Sequence, residues 1–228
     1  MLGLLYDVHG NLPALEAVLA DAQAQGARRF LLGGDYALFG AWPAETVARL
    51  RRLDAAWIRG NGERWTAAPS EAPGTEVVQG AIAACRKALG GPDVAALDRL
   101  EPMLVHEGAR YCHGSPVSDV RSFLPEPAPD EDELLAGVPE PRLVFGHTHL
   151  PFRRISARSG IELVNPGSVG MPFDGDPRAA YALVHADRRI EHRRVPYDHR
   201  ASAAAVVQHF GRNDWTATVA RRIESAEF

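Results

Sequence analysis

Apolar and polar positions along the chain switch between a strand pattern and a helix pattern. Leu2 to Tyr6 is a short apolar run that stops at Asp7-Val8-His9-Gly10-Asn11. Leu12, Leu15, Val18 and Leu19 then recur at the spacing of one helix face, with Pro13 suited to a first turn. Phe30-Leu31-Leu32 is a second buried strand, stopping at Gly33-Gly34-Asp35, and a helix fits Ala44 to Leu53 behind Pro43. Ala55 to Ile58 is a third strand, ending in Arg59-Gly60-Asn61-Gly62. This strand-turn-helix order predicts a parallel sheet built by right-handed crossovers.

Glu63 to Gly74 has no clear period. Helices are expected over Thr75 to Leu89 and Pro92 to Leu100, separated by Gly90-Gly91, then a hairpin of Met103 to Glu107 with Ala109 to Cys112 that runs into His113-Gly114-Ser115-Pro116. Leu124 to Asp132 carries three prolines and four acids and reads as a surface loop or lid, with Glu126 and Asp130 to Glu133 as its acidic part. Arg142 to Phe145 is another buried strand, stopping at Gly146-His147-Thr148-His149. Phe152 to Ser156, Ile161 to Val164, Ala180 to His185 and Arg189 to Val195 fit hairpin-linked antiparallel strands, and the tail is helical over Arg200 to Phe210 and Trp215 to Ile223. Without repeats or linkers, residues 1–228 are expected to form one mixed α/β domain, the last helix offering a contact surface that leaves the oligomeric state open.

Composition adds exclusions. With 46% hydrophobic and 24% charged residues, fibrous and disordered classes are disfavoured. The formal charge of -4 argues against bulk nucleic-acid or anionic-membrane binding, and no apolar run reaches the length of a bilayer span. Two cysteines, Cys85 and Cys112, are too few for a disulfide framework, and the N-terminus lacks a signal-peptide pattern, so a cytoplasmic setting is the expectation. All but one of the 25 basic residues are arginine, from which no function follows. The nine histidines, by contrast, are unevenly placed.

Five apolar strands end in turns that pair small residues with Asp, Asn or His: Asp7 and His9, Asp35, Asn61, His113, and His147 with His149. Ligands of α/β sheets sit beyond the carboxyl ends of the strands, so these turns are expected to converge. In an extended segment the partners of Asp7-x-His9 and of His147-x-His149 would point the same way and bracket an ion. Imidazole with carboxylate suits Mn, Fe, Co, Ni or Zn without thiolate.

These blocks, in this order, resemble the calcineurin-like metallophosphoesterases, and more narrowly their small prokaryotic phosphodiesterase and diadenosine tetraphosphatase-like branch. The likeness extends through Asn165-Pro166-Gly167-Ser168-Val169-Gly170, Asp174 to Tyr181 and Pro196-Tyr197-Asp198, and so covers residues 1 to about 200. It implies a four-layer α/β/β/α sandwich with two mixed sheets flanked by helices. It also implies two divalent metal ions, one held by Asp7, His9, bridging Asp35 and His149, the other by Asp35, Asn61, His113 and His147. Asp35, Asn61 and His113 are then the catalytic candidates. The implied reaction is hydrolysis of a phosphate ester or anhydride by a hydroxide shared between the metals. The expected substrate is a phosphorylated small molecule such as a nucleotide or dinucleoside polyphosphate. Two divalent ions would make the site locally positive within a mildly acidic chain.

One departure bears on mechanism. Many relatives carry a histidine after the block-three asparagine; here Gly62 stands there, followed by Glu63, a candidate substitute acid, and Arg64. General acid assistance is worth roughly 10² to 10⁴ in rate, so substrates whose leaving groups need little protonation, nucleotide anhydrides and aryl diesters, are expected to be preferred. The alternatives are a non-catalytic scaffold on the same fold, which loss of ligands would favour although all seven are present, and a protein serine/threonine phosphatase, which the compact chain and Gly62 disfavour. Arg59 and Arg64 are read as surface charges or phosphate contacts, Asn165, Gly167 and Ser168 as a loop beneath the metal-binding histidines, and Cys112 as core. His106, His185, His192, His199 and His209 are read as structural.

Overall fold

The computed structural model describes residues 1–228. Its elements in chain order are β1 (Leu2–Leu5), α1 (Leu12–Ala24), β2 (Arg29–Leu32), α2 (Pro43–Leu50), β3 (Ala55–Trp57), α3 (Asn61–Ala67), α4 (Glu76–Asp98), β4 (Met103–His106), β5 (Ala109–Cys112), α5 (Glu131–Leu134), β6 (Arg142–Val144), β7 (Phe152–Ile155), β8 (Glu162–Asn165), β9 (Ala179–Val184), β10 (Ile190–Val195), α6 (His199–Phe210) and α7 (Asp214–Ser225). They form two five-stranded mixed sheets, ordered β10-β9-β1-β2-β3 and β4-β5-β6-β8-β7. Strands β1, β2 and β3 are parallel in the first sheet, as are β5, β6 and β8 in the second.

Alternation along the central strands assigns each residue to a layer, since successive side chains in a strand point to opposite faces. Leu4, Tyr6, Leu31 and Ala182 of the first sheet pack between the sheets against Tyr111, Val144 and Val164 of the second. Leu5, Phe30, Leu32, Tyr181 and Leu183 face the other way, onto a core shared with α1, α2, α4, α6 and α7. Leu143, Phe145 and Leu163 face out of the second sheet and are covered by Phe123, Leu134 and Leu135. The expected α/β/β/α order is therefore present, with a thin fourth layer: the one-turn α5 and its flanking loops.

Several local expectations are corrected. The Asn61–Ala67 helix lies partly in the stretch read as aperiodic; its buried face is Asn61, Gly62, Glu63 and Thr66, so it has no apolar stripe to detect. The segment read as a surface loop is one over residues 124–130, and only its end enters the one-turn α5, which is fastened to the second sheet where Arg154 binds the buried Glu131 through both terminal nitrogens, while Arg121 binds Asp130 and Glu133. Helix α4 runs across the expected break, but Gly90 at φ 74 divides it there. Helix α7 spends its apolar face within the chain, burying Trp215, Val219 and Ile223 against α4 and α6. No helix is long and apolar enough to cross a membrane.

Candidate metal centre

The carboxyl ends of β1, β2, β3, β5 and β6 lie along one edge of the sandwich and deliver all seven candidate residues to one place. The turns are stitched together by main chain: Asp7 N donates to Gly34 O, His9 N to Asp35 O, Gly146 N to His113 O, and Gly170 N to Asp7 O. The Tyr6 ring passes so close to the Gly33 backbone that a β-carbon there would overlap it. Packing of the Tyr6 ring against the turn after β2 thus requires glycine at that point.

Asp7, His9, Asp35, His147 and His149 all sit at positive φ, between 50 and 67°. The pairs Asp7/His9 and His147/His149 therefore meet through left-handed kinks, and the extended geometry assumed for them is replaced by one that costs roughly 1 to 3 kcal/mol per residue. Such conformations persist only where the surroundings over-determine them, and here the stitched turns do so.

Asp7, His9, Asp35, Asn61, His113 and His149 are buried, and His147 is half-buried. His9 Nε2 lies 3.1 Å from His149 Nε2, and His149 Nε2 lies 3.4 Å from Asp7 Oδ1. Asp35 reaches both sides: Oδ1 is 3.5 Å from His113 Nε2 and Oδ2 is 3.8 Å from His9 Nε2. Asp7 Oδ1 also stands 3.8 Å from His113 Nε2, so both carboxylates lie between the histidines. Asp7, His9 and His149 form one group able to hold a metal ion, and Asp7, Asp35 and His113 a second.

The far nitrogens explain the ring orientations. Nδ1 of His9 pairs with Leu38 O at 2.9 Å, Nδ1 of His113 with Gly33 O at 2.8 Å, and Nδ1 of His149 with Met171 O at 2.5 Å. A ring that spends its one proton on a carbonyl presents a bare Nε2 inward. Two bare nitrogens 3.1 Å apart repel. Beside them Asp7 Oδ1 is buried with no hydrogen-bond partner at all. Asn61 repeats the pattern: its amide oxygen faces His113 Nε2 at 2.9 Å, acceptor against acceptor. Turning the amide would let its nitrogen donate to His113 Nε2 and His147 Nδ1, each at 2.9 Å, whereas a cation among the three keeps the oxygen inward. An unpartnered carboxylate oxygen among inward lone pairs fits divalent cations.

Electrostatics follow from burial and crowding. Burial drives His9 down to about 3, with His149 adding to the shift, and His147 down to about 4, with His113 adding. Burial pushes the Asp35 carboxyl well up, Glu63 and Asp7 adding while His113 opposes. Burial works against the Asp7 carboxylate too, but His149, His113 and His9 around it hold its pKa below the usual range.

Other candidates resolve differently. Glu63 is no acid: Oε2 accepts from the amides of Asp35 (2.9 Å) and Gly60 (2.8 Å), and Oε1 from the amide of Tyr36 (2.8 Å). Gly62 donates its amide to Asp35 Oδ1 at 2.7 Å. A β-carbon on Gly62 would lie 2.8 Å from that same oxygen, so a side chain there would have to displace the Asp35 carboxylate. Arg59 is bound to Asp98, and Arg64 to Asp119 and Glu71. Ser168 accepts from Met171 N and donates to Asp7 O, while Asn165 donates to Thr148 Oγ1, so their loop braces both the Asp7 and His149 turns. His192, read as merely structural, holds that loop through Asn165 O at 2.8 Å. Cys112 is buried in the outer core, as expected. The sequence reading missed two aromatic neighbours, Phe39 beside His9 and Phe173 stacked on His149. They belong to loops without periodicity, so no local signal marked them.

A family model described as the calcineurin-like phosphoesterase superfamily domain matches residues 1–189. An uncharacterised protein of Methanocaldococcus jannaschii is 29% identical over 92% of this chain and 93% of its own. Phosphodiesterase YfcE of Escherichia coli K12 is 29% identical over 79% of this chain and 85% of its own. The crystal structure of a metallophosphoesterase from Sphaerobacter thermophilus superposes with a TM-score of 0.83 at 26% identity, covering 99% of this chain and 98% of that one.

Proposed function

The chain belongs to the calcineurin-like phosphoesterase superfamily and is a phosphoester hydrolase, and on that premise we propose that it holds two divalent cations and cleaves phosphodiesters or nucleotide anhydrides. The observation that carries this reading is the unpartnered Asp7 Oδ1 beside the facing Nε2 nitrogens of His9 and His149, 3.1 Å apart. One cation would be held by Asp7, His9, Asp35 and His149, the other by Asp35, Asn61, His113 and His147. Bound there, such ions acidify water and neutralise charge building on a phosphate. The chain's own residues do the positioning: carbonyls of Leu38, Gly33 and Met171 aim three imidazoles inward, and the Gly62 amide holds Asp35.

Reconstitution tests the proposal. Protein stripped by a chelator is expected to hydrolyse an aryl phosphodiester at background rate, and addition of Mn or Co is expected to restore turnover with two metals per chain by elemental analysis. Full activity of the metal-free protein would overturn the reading.

Substrate preference follows from the missing acid. Gly62 has no side chain, Glu63 is committed to three amides, and His147 is proton-free at neutral pH, its pKa lowered to about 4. None of these three positions therefore supplies a proton to a departing oxygen. An alkyl phosphomonoester is therefore expected to turn over roughly 10² to 10⁴ times more slowly than an aryl diester or a dinucleoside polyphosphate. A panel of the three at saturating metal checks this, and fastest turnover of the alkyl monoester would exclude it.

A further inference from the structure

The donors proposed for the second cation come from both sheets. Asp35 and Asn61 follow β2 and β3 of the first, whereas His113 and His147 follow β5 and β6 of the second. Their spacing depends on how the two sheets are held together at this edge, and beside the site an ion pair crosses between them. Arg64 of α3 donates through Nε to Asp119 Oδ2 and through Nη2 to Asp119 Oδ1, each at 2.7 Å, in the turn that follows β5.

That turn is folded so as to bring Asp119 back toward His113. Ser115 N donates to Ser118 O at 2.7 Å and Ser118 N to Ser115 O at 3.3 Å, while Ser118 Oγ accepts from the amides of Val120 and Arg121. The chain so closed packs on Gly114, where a β-carbon would lie 2.7 Å from Ser118 O and 2.8 Å from the Asp119 carbonyl carbon. Asp119 therefore rests on the residue that directly follows His113.

Helix α3 meets Asp119 at two points. Asn61 and Arg64 are three residues apart, neighbours on one helix face. The amide atom that Asn61 turns toward the centre lies 3.2 Å from Asp119 O and 2.9 Å from each of His113 Nε2 and His147 Nδ1, while Arg64 holds the Asp119 carboxylate. Arg64 is itself fixed from the other side, its Nη1 donating to Glu71 Oε2 at 2.8 Å. Both side chains of the Arg64–Asp119 pair keep 24% of their surface in solvent, and ion pairs so placed add little to folding stability. A two-bond fork, however, fixes direction as well as distance.

Resting on the two-cation reading for what occupies the site, we infer that Arg64 and Asp119 are positioning residues for the second cation: their paired hydrogen bonds clamp the His113 turn of one sheet to the Asn61 helix of the other and so set the span that the ion must bridge. Both act through His113 and Asn61. The first cation's donors Asp7, His9 and His149 stand on other turns and are outside the clamp.

Metal binding alone tests this. Calorimetric titration of Mn into chelator-stripped protein is expected to show two sites in the unaltered chain, one of which Asn61→Ala abolishes. In Arg64→Gln and in Asp119→Asn that same site is expected to weaken by roughly 10- to 100-fold, as is usual when a partner behind a metal ligand is lost. The other site is expected to keep its affinity, which also reports that each variant is folded. The two substitutions remove charges of opposite sign, so a purely electrostatic influence would tighten the site in one variant and loosen it in the other. A merely structural pair would lower the melting temperature and leave both affinities alone. Either result would overturn the clamp and leave the hydrolase. Arg64→Lys keeps the charge without the fork and is expected to weaken the same site; affinity equal to that of the unaltered chain would also overturn the clamp. One Mn or none in the unaltered chain would instead remove the two-cation reading, and the clamp with it.

Discussion

Asp35→Asn is expected to lower kcat/KM for an aryl phosphodiester by roughly 10³-fold or more and to reduce bound metal from two toward one per chain. Asp35 offers one oxygen to each half of the centre, Oδ1 at 3.5 Å from His113 Nε2 and Oδ2 at 3.8 Å from His9 Nε2. The Gly62 amide already donates to Oδ1 at 2.7 Å, so an asparagine would keep its carbonyl there and turn its NH2 toward His9. That exchange replaces an anionic ligand by a donor on the His9 side. Charge stabilisation by a bound metal is worth several kcal/mol, and each ~1.4 kcal/mol is tenfold in rate, which sets the magnitude. Initial rates with elemental analysis of the same sample provide the check. A variant that keeps both metals and turns over within tenfold of the unaltered protein would show that Asp35 does not join the two halves.

Glu63→Ala is expected to cost roughly 3 to 5 kcal/mol of folding stability, at the upper end for a single substitution. The side chain is buried and both carboxylate oxygens are filled by main-chain donors: Asp35 N, Tyr36 N and Gly60 N. It therefore ties the turn after β2 to the turn after β3, the two turns that carry Asp35 and Asn61. Hydrogen bonds to a charged acceptor contribute about 1.5 to 3 kcal/mol each, and removal leaves three amides in a dry site without partners. For a chain of this size 1 kcal/mol moves the melting temperature by roughly 2 to 4 °C, so scanning calorimetry should register a fall of about 6 to 20 °C. Glu63→Gln keeps the volume but turns an NH2 toward backbone donors, and is expected to lose a comparable amount. A melting temperature within about 2 °C of the unaltered protein for either variant would refute the anchoring role.

The two substitutions probe different parts of what the chain encodes. The strands were legible because their signal is local: Leu5 and Leu32 face one layer while Leu4, Leu31 and Val144 face another, and such runs end abruptly at polar turns. The candidate ligands were legible because every one of them directly follows or lies close to the end of such a run, and the carboxyl ends of parallel strands share an edge. Helix α3 was hidden because its inward face is Asn61, Gly62, Glu63 and Thr66, polar residues turned toward the centre, and hydrophobic periodicity reports only apolar faces. The role of Glu63 was hidden for the same reason: two residues after Asn61 it reads as one candidate acid, and only its three amide partners, two of them 27 and 28 residues away, make it an anchor.

Residue identity and order alone therefore specify which groups this protein brings to its centre, two carboxylates, an amide and four imidazoles, and that they meet at one sheet edge. Tertiary structure decides how they meet. The left-handed kinks at Asp7, His9, His147 and His149, the seat of the Asp35 carboxylate against Gly62, the engagement of Arg59 and Arg64 by acids, and the rings of Phe39 and Phe173 beside the imidazoles all depend on contacts between distant segments. A strand pattern is written over neighbouring positions, whereas the direction of a lone pair is set by whichever remote segment packs against it.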